Sequence, residues 1–256
     1  MRVVVLGGSG AMGARVADRL EARGHDVVRA SRATGVDVTV PDRLLRTCEG
    51  ADCLVDCLNL TTLSRRRAVA FFGRAARTVA ETTAAARVPH VVAVSIVNVT
   101  EPAVSRATGY YAGKAAQEAG YATARVPVTV VRTTAWFTLA ETFLHQIRVG
   151  RFALVPRMGL QPVHPDAVAD LVSDVVEAGP TSGPATSDGP VVRQLAGPER
   201  TDATTMARAL AAREGSGVRV VGLPAPTAGL RTGLLPAADV PRDGRRFEDW
   251  VRTGGR

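Results

Sequence analysis

The chain has 256 residues, 46% of them hydrophobic and 22% charged, with a formal net charge of +8; that length is enough for one large α/β domain or two small ones, with a buried core. The charge does not describe a nucleic-acid surface, because aromatic residues make up only 4% of the chain and the arginines are dispersed; the one cluster, Arg65, Arg66 and Arg67, opens a helix and reads as a solvated face. No apolar run approaches the roughly 20 residues of a membrane span, and the chain starts directly on a strand, so neither a membrane segment nor a signal peptide is expected and the cytoplasm is the expected compartment.

The first stretch, Arg2 to Leu20, reads as strand, tight turn and helix. Val3, Val4, Val5 and Leu6 form the strand, Gly7, Gly10 and Gly13 the turn, and Met12, Val16, Ala17 and Leu20 a helical apolar pattern. Such a turn lets the chain leave the strand sharply, lets a pyrophosphate approach the backbone at Gly10, and lets the helix pack close to the sheet. The anion then rests on unpaired N–H groups at the helix N-terminus, so Gly7, Ser9, Gly10, Met12 and Gly13 are the expected phosphate contacts. The spacing is G-x-x-G-x-x-G rather than G-x-G-x-x-G.

Asp26 to Ala30 is the second expected strand, and it ends at Ser31 and Arg32. A dinucleotide site that prefers NAD usually carries a carboxylate there for the ribose 2′-hydroxyl. Here the place is taken by a guanidinium suited to a bidentate grip on a 2′-phosphate, so NADP(H) is the expected cofactor and NAD(H) the less favoured one. Val36 to Val40 reads as a short third strand that puts Asp37 and Val38 near an adenine, and Pro41 to Cys48 as a short helix with proline in its first turn. Asp52 to Leu58 is a fourth strand running into Asn59 at the edge where ligands bind in open α/β sheets. Cys48, Cys53 and Cys57 read as core thiols, and no metal is expected.

Arg65 to Arg87 is a long alanine-rich helix stopped by Pro89, and His90 to Ser95 a fifth strand whose last residue is a serine at the same edge. The next helix, from Gly109, carries Tyr110 and Lys114. Four residues apart, they share a helix face, and a nearby ammonium lowers the pKa of a phenol toward the range where it can exchange protons. Of the 32 basic residues all but Lys114 are arginine, which marks this lysine for a task that a planar, permanently charged guanidinium cannot perform.

The three glycines, Ser95 and the Tyr110-x-x-x-Lys114 pair together resemble the short-chain dehydrogenase/reductase superfamily. The glycine spacing, the Ser31-Arg32 ending, YYAGKAAQE, and the later QPVHPDAVADLV, LAGPER and FEDWV look like its atypical, NmrA-like branch of NAD(P)-binding proteins. The resemblance covers nearly the whole chain. It implies that Tyr110 is the general acid/base, that Lys114 bonds the nicotinamide ribose, that Ser95 orients a substrate oxygen, and that Leu58 and Asn59 run beside the adenosine ribose. Many members of that branch have lost the tyrosine and work as sensors or by other chemistry.

Pro127 to Arg132 is a sixth strand, after which Thr133, Thr134 and Ala135 are expected to pass the nicotinamide. Trp136 to Ile147 reads as an aromatic-rich helix, with Trp136, Phe137 and Phe143 as candidates for an apolar substrate wall. His164 and His145 are not expected to be catalytic. A helix over Asp166 to Glu177, a breaker-rich loop over Gly179 to Pro190, a strand over Val191 to Ala196, a helix over Asp202 to Arg213, a strand over Val218 to Val221 and a closing helix over Phe247 to Val251 complete the chain.

The expected fold is therefore an α/β, Rossmann-type doubly wound parallel sheet over residues 1–256, with a dinucleotide-binding core over about 1–134 and a smaller, mostly substrate-binding portion over about 135–256. The expected function is an NADPH-dependent oxidoreductase acting on a carbonyl/alcohol pair of a small, fairly apolar molecule, as a monomer or homodimer. Two alternatives share its motifs: an NADP(H)-sensing regulatory protein without turnover, and a redox-neutral epimerase or isomerase.

Overall fold

A computed structural model describes residues 1–145, 148–180 and 189–254. Along the first part run β1 (Arg2–Leu6), α1 (Ala11–Ala22), β2 (Asp26–Ala30), α2 (Pro41–Cys48), β3 (Cys53–Asp56), α3 (Arg65–Ala85), β4 (Val91–Ile96), α4 (Pro102–Ser105), α5 (Gly109–Tyr121) and β5 (Val128–Thr133). The remainder holds α6 (Leu139–His145), β6 (Arg148–Val149), β7 (Phe152–Pro156), β8 (Gly159–Leu160), α7 (Pro165–Ala178), β9 (Val191–Leu195), β10 (Thr201–Asp202), α8 (Ala203–Glu214), β11 (Arg219–Leu223), α9 (Ala228–Arg231) and α10 (Phe247–Arg252). Two compact units divide the chain: residues 1–95, 108–132 and 169–193 form one, and 96–107, 133–168 and 194–256 the other. The sequence boundary near residue 134 is crossed in both directions, since residues 96–107 join the second unit and residues 169–193 the first.

The central sheet has six strands in the order β2-β1-β3-β4-β5-β9, a doubly wound α/β arrangement of the Rossmann type. β1 pairs in parallel with β2 on one side and β3 on the other, with Leu6 opposite Ala30 and Asp56. The chain therefore steps outward from β1 and then jumps back across it, and the switch point between β1 and β3 is where such sheets open a crevice at their carboxyl edge. The strands are buried on both faces, β1 as Val3 to Leu6 and β3 as Cys53 to Asp56, which is why they read as unbroken apolar runs.

The expected third strand over Val36 to Val40 does not form. Asp37 instead folds the segment onto itself: its Oδ1 accepts from the Thr39 amide at 2.8 Å and the Thr39 hydroxyl at 2.7 Å, and Thr34 closes the preceding turn by donating from its hydroxyl to the Arg29 carbonyl. These local bonds compete with sheet pairing, and β2 is left as an edge strand. Most of the loop expected over 179–190 and the end of the helix expected over 136–147 lie outside the described residues.

On the first unit, α1 and α7 are joined by ion pairs, Arg19 to Asp170 at 2.7 Å and Arg23 to Asp174 and Glu177 at 2.8 and 2.7 Å. α3 and α5 lie so close together that a Cβ at Gly113 would stand 2.6 Å from Cδ2 of Phe72. The second unit holds the small sheet β11-β7-β6 and the pair β10-β8. Its α8 is capped by Asp202, whose Oδ1 accepts from the Thr204 and Thr205 amides, and Asn98 donates to the carbonyls of Gly233 and Leu235 at 3.0 and 2.8 Å. The strands β6, β8 and β10 escaped the sequence because strands of two residues carry no readable period; the five-residue β7 was missed as well.

The glycine turn is fixed by contacts rather than by flexibility. Gly7 has φ +70°, and a Cβ there would stand 2.8 Å from the Cys57 carbonyl oxygen; a Cβ at Gly13 would stand 2.2 Å from the carbonyl oxygen of Gly7. The helix thus presses on the turn, and the turn on the end of β3. Replacing Gly13 by alanine forces α1 off the turn; the expected loss is about 1–3 kcal/mol, or a fall in Tm of several degrees, readable by thermal denaturation. An unchanged Tm would show that α1 can withdraw freely.

Candidate functional site

All the residues expected to hold the cofactor phosphates, and the proposed proton-handling pair, lie in the first unit at the carboxyl edge of its sheet. α1 begins at Gly10, which carries no side-chain cap. Ser9, Gly10 and Ala11 are exposed, and among the described residues the amides of Ala11, Met12 and Gly13 have no backbone acceptor. Such a helix start, open to solvent and stripped of side chains, fits an anionic diphosphate. Met12 is buried and braces the helix from within. Leu58 and Asn59 follow β3 at the same edge. The Leu58 amide donates to Asp56 Oδ1 at 2.9 Å and lies 3.3 Å from where a Gly7 Cβ would be, so the third strand's exit is packed directly on the glycine turn.

At the end of β2, Ser31 is buried in a turn with Thr34, whose hydroxyl accepts from the Ser31 amide at 2.8 Å. Arg32 is exposed; its carbonyl accepts from the Gly35 amide at 3.1 Å, and its guanidinium makes no hydrogen bond or ion pair among the described residues. It is not alone. The carboxylate of Asp37 is held below its ordinary range by the Thr39 hydroxyl and amide, with the guanidinium groups of Arg32 and of Arg74 from α3 adding to the effect. The Arg43 guanidinium lies against Gly35, 2.7 Å from where a Cβ would stand. Arg43 and Arg74 went unnoticed in the sequence because nothing there shows that α2 and α3 turn them toward the Arg32 loop.

The centre of the site is α5. Lys114 is 4% exposed; its Nζ donates to the Val94 carbonyl at 2.7 Å and to Oε1 of Gln117, and it stands 5.2 Å from the centroid of the Phe72 ring, within cation–π range. Gln117 Nε2 donates to Asp56 Oδ2 at 2.6 Å, and the Tyr121 hydroxyl donates to the same oxygen at 2.7 Å. One helical turn away, Glu118 accepts from the Ser95 hydroxyl at 2.5 Å and from Arg132, whose Nη2 reaches Oε2 at 2.6 Å. Two carboxylates, Asp56 and Glu118, thus lie with two cations, Lys114 and Arg132, in a polar layer of two hydrogen-bonded groups under the carboxyl edge.

Tyr110 shares the Lys114 face but not its company. Its ring packs edge-on against Phe72 at 6.1 Å and lies 5.8 Å from Tyr111, so Phe72 stands beside both members of the pair. The expected lowering of its phenol by the ammonium is not what the structure shows. Burial pushes the Tyr110 phenol up to about 12, because desolvation penalises the phenolate and Lys114 is turned inward to the polar layer. Ser95 is likewise engaged: it is 3% exposed and its proton is committed to Glu118 rather than free for a substrate oxygen.

In the second unit, Thr133 ends β5, is buried, and accepts from the Trp136 indole N–H at 2.9 Å. Phe137 is fully buried, with Phe247, Trp250 and the His164 ring at 5.4, 5.9 and 5.4 Å. Its ring is core, not the open substrate wall expected of it, because three aromatic neighbours already cover it. Trp136 and Phe143 are half-buried. The cysteines are free, and burial drives the thiols upward, Cys48 to about 11, as befits core side chains.

The residues missed in the sequence are Asp56, Gln117, Glu118, Tyr121 and Arg132. Their signal was present: from Lys114 the positions +3, +4 and +7 are polar or phenolic on the face an amphipathic helix turns inward, and Asp56 interrupts the apolar run CLVDCL.

Residues 3–126 match the family described as the NAD dependent epimerase/dehydratase family. No curated protein matches the chain. Among solved structures, the chain is similar to a UDP-glucose 4-epimerase from Bifidobacterium longum in complex with NAD+ and UDP, at 12% identity, with 100% of this chain and 97% of that one covered and a TM-score of 0.74. It is also similar to the UDP-N-acetylglucosamine 4-epimerase of Bacillus cereus, at 13% identity over 100% and 95% of the two chains with a TM-score of 0.70, and to a short-chain dehydrogenase/reductase superfamily protein from Agrobacterium tumefaciens with bound NAD, at 13% identity over 100% and 96% with a TM-score of 0.66. These likenesses establish the shared fold.

All three tyrosines, Tyr110, Tyr111 and Tyr121, are pushed above the ordinary phenol value, Tyr111 further than Tyr110. A folded pKa above the unfolded one means that stability is intact below about pH 10 and falls as the pH climbs through the folded values. Ultraviolet titration of the folded chain should therefore show no tyrosinate below about pH 11. Ionisation of one phenol near neutrality would place the Lys114 charge back beside Tyr110.

Proposed function

We propose that the chain is a nicotinamide-dependent oxidoreductase that interconverts a carbonyl and an alcohol on a small molecule, with NADP(H) preferred. The observation that carries the reading is the convergence, within one unit, of an uncapped glycine turn, a buried lysine and a phenol at the edge of a doubly wound sheet. Gly7, Ser9, Gly10, Met12 and Gly13 form the cradle for the diphosphate, and Arg32 receives a 2′-phosphate with Arg43 and Arg74 behind it. When bound, the cofactor supplies or accepts hydride. The protein supplies the rest: Lys114 presents its ammonium to the nicotinamide ribose, Tyr110 holds the proton destined for the substrate oxygen, and the Ser95 hydroxyl, exchanging Glu118 for substrate, fixes that oxygen. Leu58 and Asn59 flank the adenosine ribose, and Thr133 lies by the nicotinamide.

A neutral phenol is the correct starting state for giving a proton to a forming alkoxide, so the high pKa of Tyr110 supports reduction. The second reading, a redox-neutral epimerase acting on a nucleotide-linked sugar with NAD, is supported by the family match over residues 3–126 and by the substrates of the structurally similar enzymes. A sensor of the NADP(H) ratio would use the same cradle without turnover.

Tyr110→Phe is expected to lower turnover by about 10²-fold or more while leaving NADPH binding, read by nucleotide fluorescence, within about twofold. An unchanged rate removes Tyr110 as the acid. Arg32→Ala is expected to weaken NADPH by about tenfold or more and NADH hardly at all; equal losses would overturn the phosphate role. Conversion of a nucleotide sugar with no net change in nicotinamide absorbance would install the epimerase reading, and binding of both nucleotides with no turnover on any carbonyl or sugar would install the sensor.

A further inference from the structure

The polar layer beneath the sheet edge holds a charge that the motif alone does not explain. An ammonium buried among side chains is costly unless it is paired and fully hydrogen-bonded, and Lys114 has no carboxylate in direct contact among the described residues. Its nearest partners are a neutral carbonyl, Val94, and a neutral amide, Gln117. The amide has only one workable orientation. An ammonium donates and never accepts, so Oε1 must face it; a carboxylate only accepts, so Nε2 must face Asp56. The chain Lys114 Nζ to Gln117 Oε1, then Gln117 Nε2 to Asp56 Oδ2, is thus directional, with the positive end at the lysine and the negative end at the aspartate.

The far end of that chain is equally well built. Asp56 is fully buried, and its carboxylate receives three hydrogen bonds, from Gln117 and Tyr121 on Oδ2 and from the Leu58 amide on Oδ1. With donors on both oxygens the group is arranged as an acceptor throughout, and a buried carboxylate calls for a counter-charge. Glu118 is the other carboxylate in the layer, but its two oxygens are taken up by Arg132 and Ser95. The pairing by position is therefore Glu118 with Arg132 and Asp56 with Lys114.

We propose that Asp56 is the buried counter-ion of Lys114, acting through the amide of Gln117, and that both are positioning residues for the ammonium. Every element packed on the lysine contributes to its surroundings: β3 presents Asp56 and Cys57, α5 presents Glu118, Tyr110 and Tyr121, β4 the Val94 carbonyl and Ser95, β5 Arg132 by way of Glu118, and α3 the ring of Phe72. Burial lowers the lysine's pKa, and Asp56 heads the groups that raise it again, ahead of Glu118 and Cys57. Removing the Asp56 charge therefore lets Lys114 lose its proton at lower pH. The consequence for turnover rests on the function proposed above; the counter-ion assignment itself does not.

Because Lys114 is the chain's single lysine, the whole protein grown with 13C-labelled lysine gives one side-chain Cε resonance, whose titration reads this group alone. In Asp56→Asn the titration is expected to move down by about one pH unit or more, and in Glu118→Gln by less. Gln117→Met cuts the amide link while leaving the Asp56 charge, and is expected to shift the resonance and lower its titration as well; it decides the matter should Asp56→Asn fail to fold, as judged by circular dichroism. With turnover, the alkaline limb of the kcat/KM profile is expected to follow the lysine, a displacement that a merely structural role would not produce. Titrations in Asp56→Asn and Gln117→Met that coincide with the unmutated chain, or a larger shift in Glu118→Gln than in Asp56→Asn, would overturn the proposal. A shifted lysine in a protein with no turnover would leave the counter-ion in place and remove the oxidoreductase reading instead.

Discussion

An ammonium group kept away from water is the constraint around which the first unit is arranged. Lys114 can be buried only because two strands and a helix deliver the groups that satisfy it: the Val94 carbonyl from β4, the Gln117 amide from α5, and the Asp56 carboxylate from the end of β3. Each strand has to end at the right height for this. Asp56 stands opposite Leu6 of β1, one residue before the glycine turn, and the Leu58 amide that caps Asp56 sits where a Gly7 side chain would collide. The register of the sheet, the shape of the turn and the charge state of the lysine are consequently one problem. A shift of β3 by a single residue would turn Asp56 to the other face of the sheet and leave the ammonium unbalanced.

Much of this was legible before any coordinates. The glycine turn carries its own signature because only a residue without Cβ survives 2.2 Å from a carbonyl oxygen, as at Gly13, and long apolar runs such as VVVL and CLVDCL announce buried strands. The lysine stood out through composition alone. What the sequence concealed is what depends on tertiary neighbours. Val36 to Val40 has the right residues for a strand, yet Asp37 bonds to Thr39 and closes the segment locally. Phe137 looks like a pocket residue until Trp250 and Phe247, more than a hundred positions away, fill the space around it. Arg43 and Arg74 share a neighbourhood with Arg32 only once α2 and α3 are packed. Short strands such as β8 and β10 exist because they pair with each other, and no period within two residues reports that.

The Tyr-Lys spacing shows why a motif fixes a face and not an interaction. Helical geometry does put residues 110 and 114 on one side of α5, and both approach Phe72, one through its ring and the other through its ammonium. The direction in which a lysine extends is decided by its best acceptors, however, and the strongest negative field here lies toward Asp56 and Glu118, deeper than the phenol. The ring of Tyr110, lacking that charge beside it, feels burial alone and keeps its proton to about 12.

That protonation state bears on the direction of the chemistry. An acid that must give a proton to a forming alkoxide needs only to be a stronger acid than the alcohol it produces, and a phenol at about 12 still satisfies this. A reaction that begins by oxidising an alcohol, as an epimerase must, needs the same group as a base, and near neutrality a phenol of that strength is almost wholly protonated. On the function proposed above, reduction can begin from the arrangement the chain adopts by itself, whereas oxidation requires Tyr110 first to gain a stabilising charge. Lys114, on the same helix face, could supply that charge, and turning toward the phenol would cost it its bonds to Val94 and Gln117. On that proposal, the link from Lys114 through Gln117 to Asp56 would govern more than stability: the tighter it holds the ammonium inside, the more firmly the site is set toward proton donation.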